Sequence, residues 1–523
     1  METFSYLSQG FGVALTPYNL FTALCGTLIG TVVGLLPGLG PINGVALLIP
    51  IAFALGLPPE SALILLAAVY LGCEYGGRIS SILLNIPGEA SAVMTTLDGY
   101  PLARQGKAGI ALSISAWSSF VGGLMATCGV VISAWSSFVG GLMATCGVVI
   151  FAPLLAKWAV AFGPAEYFVL MVFAIVCLAG MAGNKPMKTA IAACIGLFLS
   201  CIGIDSNSGV YRFTFGSLGL ADGIQFVVLV LGLFSISEIL VLLERTHFGQ
   251  KAIEANGRML FNLKEGASVL ATNLRSGAVG FVLGILPGAG ATLASAVAYM
   301  TEKRLAVTDN RFGDGDLRGL AAPEAANSAS ACGSMVPMLT LGVPGSGTTA
   351  VMLGALTLYN ITPGPLLFQN QPEIVWGLIA SLFVANLMLI VMNVPMIKVF
   401  TKILAVPYWA LVPAIAIITS IGVYAVHATT FDLYLMIGIG IAGYILRKMD
   451  FPLSAILLGF ILGGLMEQNL RRALSISNGE LGILFSSPIT WAVWALIAVM
   501  IVLPIWRTFS RRREARRVLA AAE

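Results

Sequence analysis

Stretches of about twenty apolar residues, enough for one helix to cross the hydrocarbon core of a bilayer, recur along this chain from near Tyr18 to Trp506. They fall at 18–36, 61–84, 111–131, 160–181, 186–203, 223–243, 266–286, 372–396, 405–426, 428–446, 452–466 and 487–505. Further apolar segments near 42–56, 290–300 and 329–360 are short and broken by Gly, Pro and Ser, and read as half-spans or re-entrant hairpins. The chain is 58% hydrophobic and 10% charged, whereas soluble domains carry about 25% charged residues. A soluble fold of this length cannot hide so much apolar surface, so lipid must cover the outside. The expected fold is an all-α integral membrane protein of about 10–12 transmembrane helices plus re-entrant hairpins.

The net charge of +4 is dispersed and gives no nucleic-acid surface. Its one cluster, Arg511, Arg512, Arg513, Arg516 and Arg517, follows the last apolar stretch. Such a run marks a cytoplasmic C-terminus; a lipid-headgroup site is the alternative. Lys398, Lys402, Arg447 and Lys448 fit that orientation, but Arg471 and Arg472 fall on the opposite side by simple counting. The eight cysteines form no Cys-x-x-Cys pair and read as small core residues. The N-terminal METFSYLSQGFG lacks the pattern of a cleavable signal peptide. His247 and His427 lie outside the Gly-rich elements, and Gly342–Thr349 lacks the lysine of a P-loop. Without a catalytic constellation, the chain is not expected to be an enzyme.

Two kinds of repeat stand out. ISAWSSFVGGLMATCGVV at 114–131 recurs at 132–149, identical at all 18 positions. This is a very recent duplication or an assembly error, and it is expected to be absorbed locally. The second repeat is diverged. Gly34-Leu-Leu-Pro37-Gly38-Leu-Gly40 returns as Gly284-Ile-Leu-Pro287-Gly288-Ala-Gly290, 250 residues later. Downstream of each stands another Pro-Gly element: Asn85-Ile-Pro87-Gly88-Glu89-Ala-Ser91, and Gly342-Val-Pro344-Gly345-Ser346-Gly347-Thr348-Thr349. The expected organisation is therefore two homologous, inverted repeats, residues 1–250 and 251–523.

Pro and Gly break helices, and broken helices at membrane depth are tolerated only where they line a buried or watery cavity. Paired interruptions in two halves point to a transport site. Helix N-termini there suit a carboxylate, and freed carbonyls suit a cation such as sodium. Alternatively, the Pro-Gly elements only kink helices and let them pack closely. Nearby ionisable residues belong to the same question. Arg78 either binds a substrate carboxylate or pairs with Glu74 at i, i+4. Glu89 and Glu324 are either cation or proton sites, or interfacial residues. The candidate substrate site comprises Pro37, Gly38, Gly40, Asn43, Arg78, Asn85, Pro87, Gly88, Glu89, Ser91, Pro287, Gly288, Gly290, Pro344, Gly345, Ser346, Gly347, Thr348 and Thr349. The cation candidates are Asn85, Glu89, Glu324, Asn327, Ser346 and Thr348.

The segments GTLIGTVVGLLPGLGP, YLGCEYGGRISSILLNIPGEASAVMTTLDGYPLARQGKAG, GILPGAGATLASAVAYMTEKR, GLAAPEAANSASACGSMVPMLTLGVPGSGTTAVMLGAL and TPGPLLF resemble the signature stretches of the large membrane subunit of tripartite tricarboxylate transporters. The likeness runs from about residue 18 to the last span. It implies a bacterial inner-membrane permease for citrate or related carboxylates, driven by an ion gradient, usually sodium, with no other cofactor. It also implies two partners, a periplasmic solute-binding protein and a small four-span membrane subunit. A stand-alone carboxylate carrier or channel is the alternative. Within the matching motifs, Pro323, Glu324 and Asn327 join the Pro-Gly residues already named. Two features depart from the pattern. Arg78 stands where the family commonly has a small hydroxyl residue, and one copy of the duplication is surplus.

Overall fold

The computed structural model describes residues 2–500 apart from 37–38, 132–162, 182–185, 206–207, 245–252, 254–257, 259, 287–289, 307–310, 362, 365–366 and 404–407. The second copy of the duplication, the basic C-terminal run, Pro37, Gly38, Pro287, Gly288 and His247 all lie outside the described residues.

The chain forms two compact units, Met1–Val139 with Gly216–Leu453, and Gly140–Phe215 with Ser454–Glu523. The first unit opens with α1 (Glu2–Ala14), α2 (Pro17–Leu35), α3 (Pro41–Ala54) and α4 (Pro59–Leu84). Proline stands at the first turn of α2, α3 and α4, where its missing N–H costs nothing and its fixed φ suits a helix. Next comes α5 (Ala90–Val131), which contains a π turn at Ala103–Lys107 where Gly106 takes φ 77°. The second unit holds α6 (Pro164–Met181), α7 (Pro186–Ser200) and the antiparallel pair β1 (Gly203–Ile204) and β2 (Tyr211–Arg212). The first unit resumes with α8 (Phe226–Glu244), α9 (Leu263–Ile285), α10 (Gly290–Leu305), α11 (Leu317–Gly333), α12 (Met335–Leu341) and α13 (Gly347–Leu358). It ends with α14 (Pro372–Ile403), α15 (Tyr408–His427) and α16 (Thr430–Lys448), and α17 (Leu453–Ile476) belongs to the second unit.

The fold is thus nearly all helical. Eight helices among the described residues are long and apolar enough to cross a bilayer. α3 and α13 are apolar but shorter, as half-spans are. The span expected at 452–466 continues to Ile476, so Arg471 and Arg472 lie in the last turns of a helix and not in a loop. Within the second unit, the Arg471 guanidinium lies 2.7 Å from Glu467 and 3.2 Å from Asp205, and Glu467 also accepts from Arg212 at 2.6 Å. α7 meets α17 at glycine: a Cβ on Gly459 would lie 2.1 Å from Ala193 O.

In the first unit α4 is buried along almost its entire length. α2 packs onto it through Gly30 and Gly34, where an added Cβ would fall 2.4 Å from Val69 O and 2.1 Å from Cys73 O. α9 packs onto α11 in the same manner: Gly280 and Gly284 would meet Ala326 O at 2.3 Å and Ser330 O at 2.6 Å. Hydrophobic burial gives little drive between helices in lipid, so such close backbone approach supplies the packing energy. Gly34→Ala and Gly280→Ala should each destabilise the protein by about 1–3 kcal/mol through backbone displacement. Thermal unfolding in detergent reads this. Gly12→Ala, inside α1 with no atom within 4 Å of the new Cβ, should not lower the midpoint and should raise stability by the helix preference of Ala, about 0.5–1 kcal/mol.

Candidate transport site

The two Pro-Gly regions have the same backbone. α2 and α9 both stop at an extended leucine, Leu36 (φ −83°, ψ 116°) and Leu286 (φ −76°, ψ 118°). α4 ends at Asn85 in the left-handed region (φ 57°, ψ 26°), and α12 ends at Gly342 likewise (φ 68°, ψ 19°). Asn and Gly are the residues that accept this cap. The next helices start from Glu89 (φ −147°, ψ 171°) and Ser346 (φ −145°, ψ 168°). Between cap and start, Gly88 presses on Gly77 Cα and Gly34 O, and Gly345 presses on Ser334 Cα and Gly284 O. Residues 257 apart are therefore equivalent here, so Tyr70 corresponds to Asn327 and Glu89 to Ser346.

These equivalent residues reach across to one another's repeat. Tyr70 Oη of α4 lies 3.3 Å from Ser346 Oγ and 3.4 Å from Ser334 Oγ. Asn327 Nδ2 of α11 donates to Glu74 Oε2 at 2.8 Å and lies 3.4 Å from Glu89 Oε1. One turn further, Arg78 Nε stands 2.9 Å from Glu324 Oε2. The order Tyr70–Ser334, Glu74–Asn327, Arg78–Glu324 rises along α4 and falls along α11. The equivalent helices thus run antiparallel, as an inverted repeat requires.

Arg78 and Glu324 are both buried. The Nε contact is an ion pair outside hydrogen-bond angles. Nη1 donates to Ser119 Oγ and, at 3.1 Å, to Ser115 O; Nη2 is 3.4 Å from Ser328 Oγ and from Glu74 O. The Tyr75 ring lies beneath the guanidinium, 4.2 Å from ring centroid to Cζ. Thr95 donates to the other Glu324 oxygen. Arg78 therefore pairs with Glu324, and touches Glu74 only at its backbone carbonyl. Glu324 is interior, whereas Glu89 is half-buried and accepts from Ser91.

The remaining candidates distribute around this ladder. Gly40 starts α3 with its Cβ position 3.6 Å from Glu89 Cβ, and Asn43 is buried on α3. Gly290 starts α10 away from other atoms. Ser346 and Thr349 form a reciprocal cap on α13, with Thr349 N to Ser346 Oγ at 3.2 Å and Ser346 N to Thr349 Oγ1 at 2.8 Å; Thr348 is buried beside them. Pro87, Pro344 and Gly347 shape these turns. Sequence reasoning missed Tyr70, Thr95, Ser119 and Ser334, which sit in apolar runs without local signal. The 257-residue equivalence would have exposed Tyr70, because it aligns with Asn327. The Gly313–Asp316 loop is a clasp: Asp98 accepts the N–H groups of Gly313 (2.9 Å), Gly315 (3.0 Å) and Asp316 (2.9 Å), and Tyr299 donates to it at 3.0 Å.

Broken helices that meet in pairs around buried ionisable groups are the architecture of a membrane transport protein. Comparison with known families narrows this. Residues 20–135 and 128–458 match the Tripartite tricarboxylate transporter TctA family, and the chain belongs to that family. The two matched segments overlap inside the tandem duplication. The chain is 37% identical over 514 residues to an uncharacterized 52.8 kDa protein in the TAR-I ttuC' 3' region of Agrobacterium vitis, covering 98% of each. It is 41% identical over 235 residues to an uncharacterized protein in the TAR-II ttuC' 3' region of the same organism, covering 45% of this chain and 97% of that one. No solved structure matches it.

Arg78→Met should destabilise by about 3–5 kcal/mol, because Glu324 is left buried without a counter-charge. Arg78→Met combined with Glu324→Gln should recover most of that loss. Unfolding midpoints of the two variants in detergent measure the difference.

Proposed function

We propose that this chain is the permease subunit of a binding-protein-dependent importer of tricarboxylates such as citrate, driven by an ion gradient with sodium as coupling ion. The observation that carries the reading is the unequal chemistry of the two equivalent helix starts. The first presents a carboxylate, Glu89, and the second presents hydroxyls, Ser346 and Thr349. At the second, the N–H groups of Gly347 and Thr348 have no partner within α13, because the first turn of a helix never supplies one. The helix dipole adds positive potential there, and Tyr70 brings a further hydroxyl donor. A substrate carboxylate binds at this end. At the first, Glu89 already occupies the positive helix terminus and repels a second anion, so that region serves the coupling ion.

The family supports two partners. A periplasmic solute-binding protein delivers the carboxylate and a small four-span membrane subunit completes the complex, in the bacterial inner membrane with the C-terminus of this chain cytoplasmic. Radiolabelled citrate uptake into vesicles holding both membrane subunits tests the reading, with the binding protein and a sodium gradient each present or omitted. Uptake should require both. Uptake without the binding protein would instead favour a stand-alone carrier. Ser346→Ala should raise the citrate KM about tenfold, the loss of one hydrogen bond to a charged group, with surface expression unchanged.

A further inference from the structure

We infer that Glu74, Glu89 and Asn327 form a binding site for one monovalent cation, with Glu74 as its charged centre, and that Arg78 withdraws Glu324 from ion coupling. The inference deepens the carrier reading, but its test needs no transport.

The argument is a local charge count. Three carboxyl groups, Glu74, Glu89 and Glu324, converge between α4 and α11. Arg78 is the only cationic residue on α4, and α2, α3 and α13 carry no charged residue. On α11, Arg318 pairs with Asp316, and on α5 the Asp98 carboxylate is tied to the 313–316 loop. The Arg78 guanidinium is fixed on Glu324 by the ion pair, by Ser119 and by the ring of Tyr75. Glu89 accepts from Ser91 and stands at the N-cap position of the following helix, where the dipole favours its charge although its side chain makes no hydrogen bond to that helix's backbone. Glu74, 3% exposed, meets the neutral amide of Asn327 and shares a hydrogen bond with the Glu89 carboxyl, so two acids stand together there while the Arg78 guanidinium is engaged by Glu324. A buried carboxylate without a counter-charge does not persist, so one positive charge is required beside it.

The second observation concerns the amide itself. Asn327 is 3% exposed, and its Oδ1 meets no donor among the described residues although its Nδ2 faces both carboxyls. Rotation of the amide turns Oδ1 toward the carboxyl oxygens and completes an all-oxygen set, the donor type that a hard cation takes. The equivalent positions in the other repeat, Ala331, Ser346 and Tyr70, contain no acid, so the site has no counterpart there. A sodium ion and a proton satisfy the same count.

The test is equilibrium binding of radioactive sodium to the purified full-length subunit in detergent, without carboxylate, from mildly acid to mildly alkaline pH. The titratable neighbours of Glu74 are Tyr70, Cys73 and Arg78 on α4, Glu89 on the following turn and Glu324 on α11. We expect saturable binding that weakens as pH falls, because protons compete for Glu74. Glu74→Gln should weaken binding more than about tenfold, and Glu74→Asp should retain it within that factor. Asn327→Ser gives a second variant should Glu74→Gln fail to fold. If sodium does not bind but thermal stability changes with pH in the wild type and not in Glu74→Gln, the site stands with a proton as its occupant. Sodium binding indifferent to Glu74→Gln and Asn327→Ser overturns the proposal, as does a wild type that neither binds sodium nor responds to pH. Binding with no carboxylate uptake in the complete complex leaves the site and overturns the carrier reading.

Discussion

The Arg78–Glu324 ion pair holds the two halves of the first unit face to face. A guanidinium and a carboxylate buried at membrane depth exist only as partners, since either alone is strongly unfavourable. Their meeting at 2.9 Å fixes how α4 slides along α11. That register in turn sets Asn327 against Glu74 and Tyr70 against Ser346. The glycines of α2 and α9 serve the same end from outside, because they let each central helix be gripped at backbone distance. Side-chain chemistry chooses the register and glycine packing makes it rigid.

Near-identical backbone with unlike side chains is what duplication followed by divergence leaves behind. The caps at Asn85 and Gly342, and the extended starts at Glu89 and Ser346, agree within a few degrees to about eleven degrees. The groups they present are an acid on one side and hydroxyls on the other. The two starts therefore favour ligands of opposite charge, since an acid repels an anion that hydroxyls and free N–H groups attract. The reciprocal contacts add a mechanical link: the side chain that touches each helix start comes from the other repeat.

The Pro-Gly elements were legible in the sequence because Pro and Gly leave a compositional mark wherever a helix breaks. Their order in the two halves showed the repeat, and the long apolar stretches showed the helices. The ladder was less legible. Local spacing offered Glu74 as a partner for Arg78, four residues away, but the carboxylate that wins belongs to a helix far along the chain. Periodicity within a helix says which residues share a face, not which distant helix covers that face. Tyr70 and Ser334 were silent for a related reason: one hydroxyl in an apolar run looks like any other core position. Arg471 and Arg472 read as loop residues because the expected span ended where hydropathy falls, although α17 continues through Ile476.

The order of the ladder also bears on how the chain enters its membrane. Synthesis runs from the N-terminus, so α4 leaves the ribosome well before α11 exists. Arg78 must then wait in or near the insertion machinery without its carboxylate, at a cost of roughly 2.5–3.5 kcal/mol for an arginine at mid-helix. The rest of α4 is apolar enough for the whole helix to qualify as a span despite that cost. Burial of the guanidinium is completed only when the second repeat threads in against the first. A nascent chain lacking its latter half thus keeps an unneutralised arginine in lipid, and joining the two halves removes that cost.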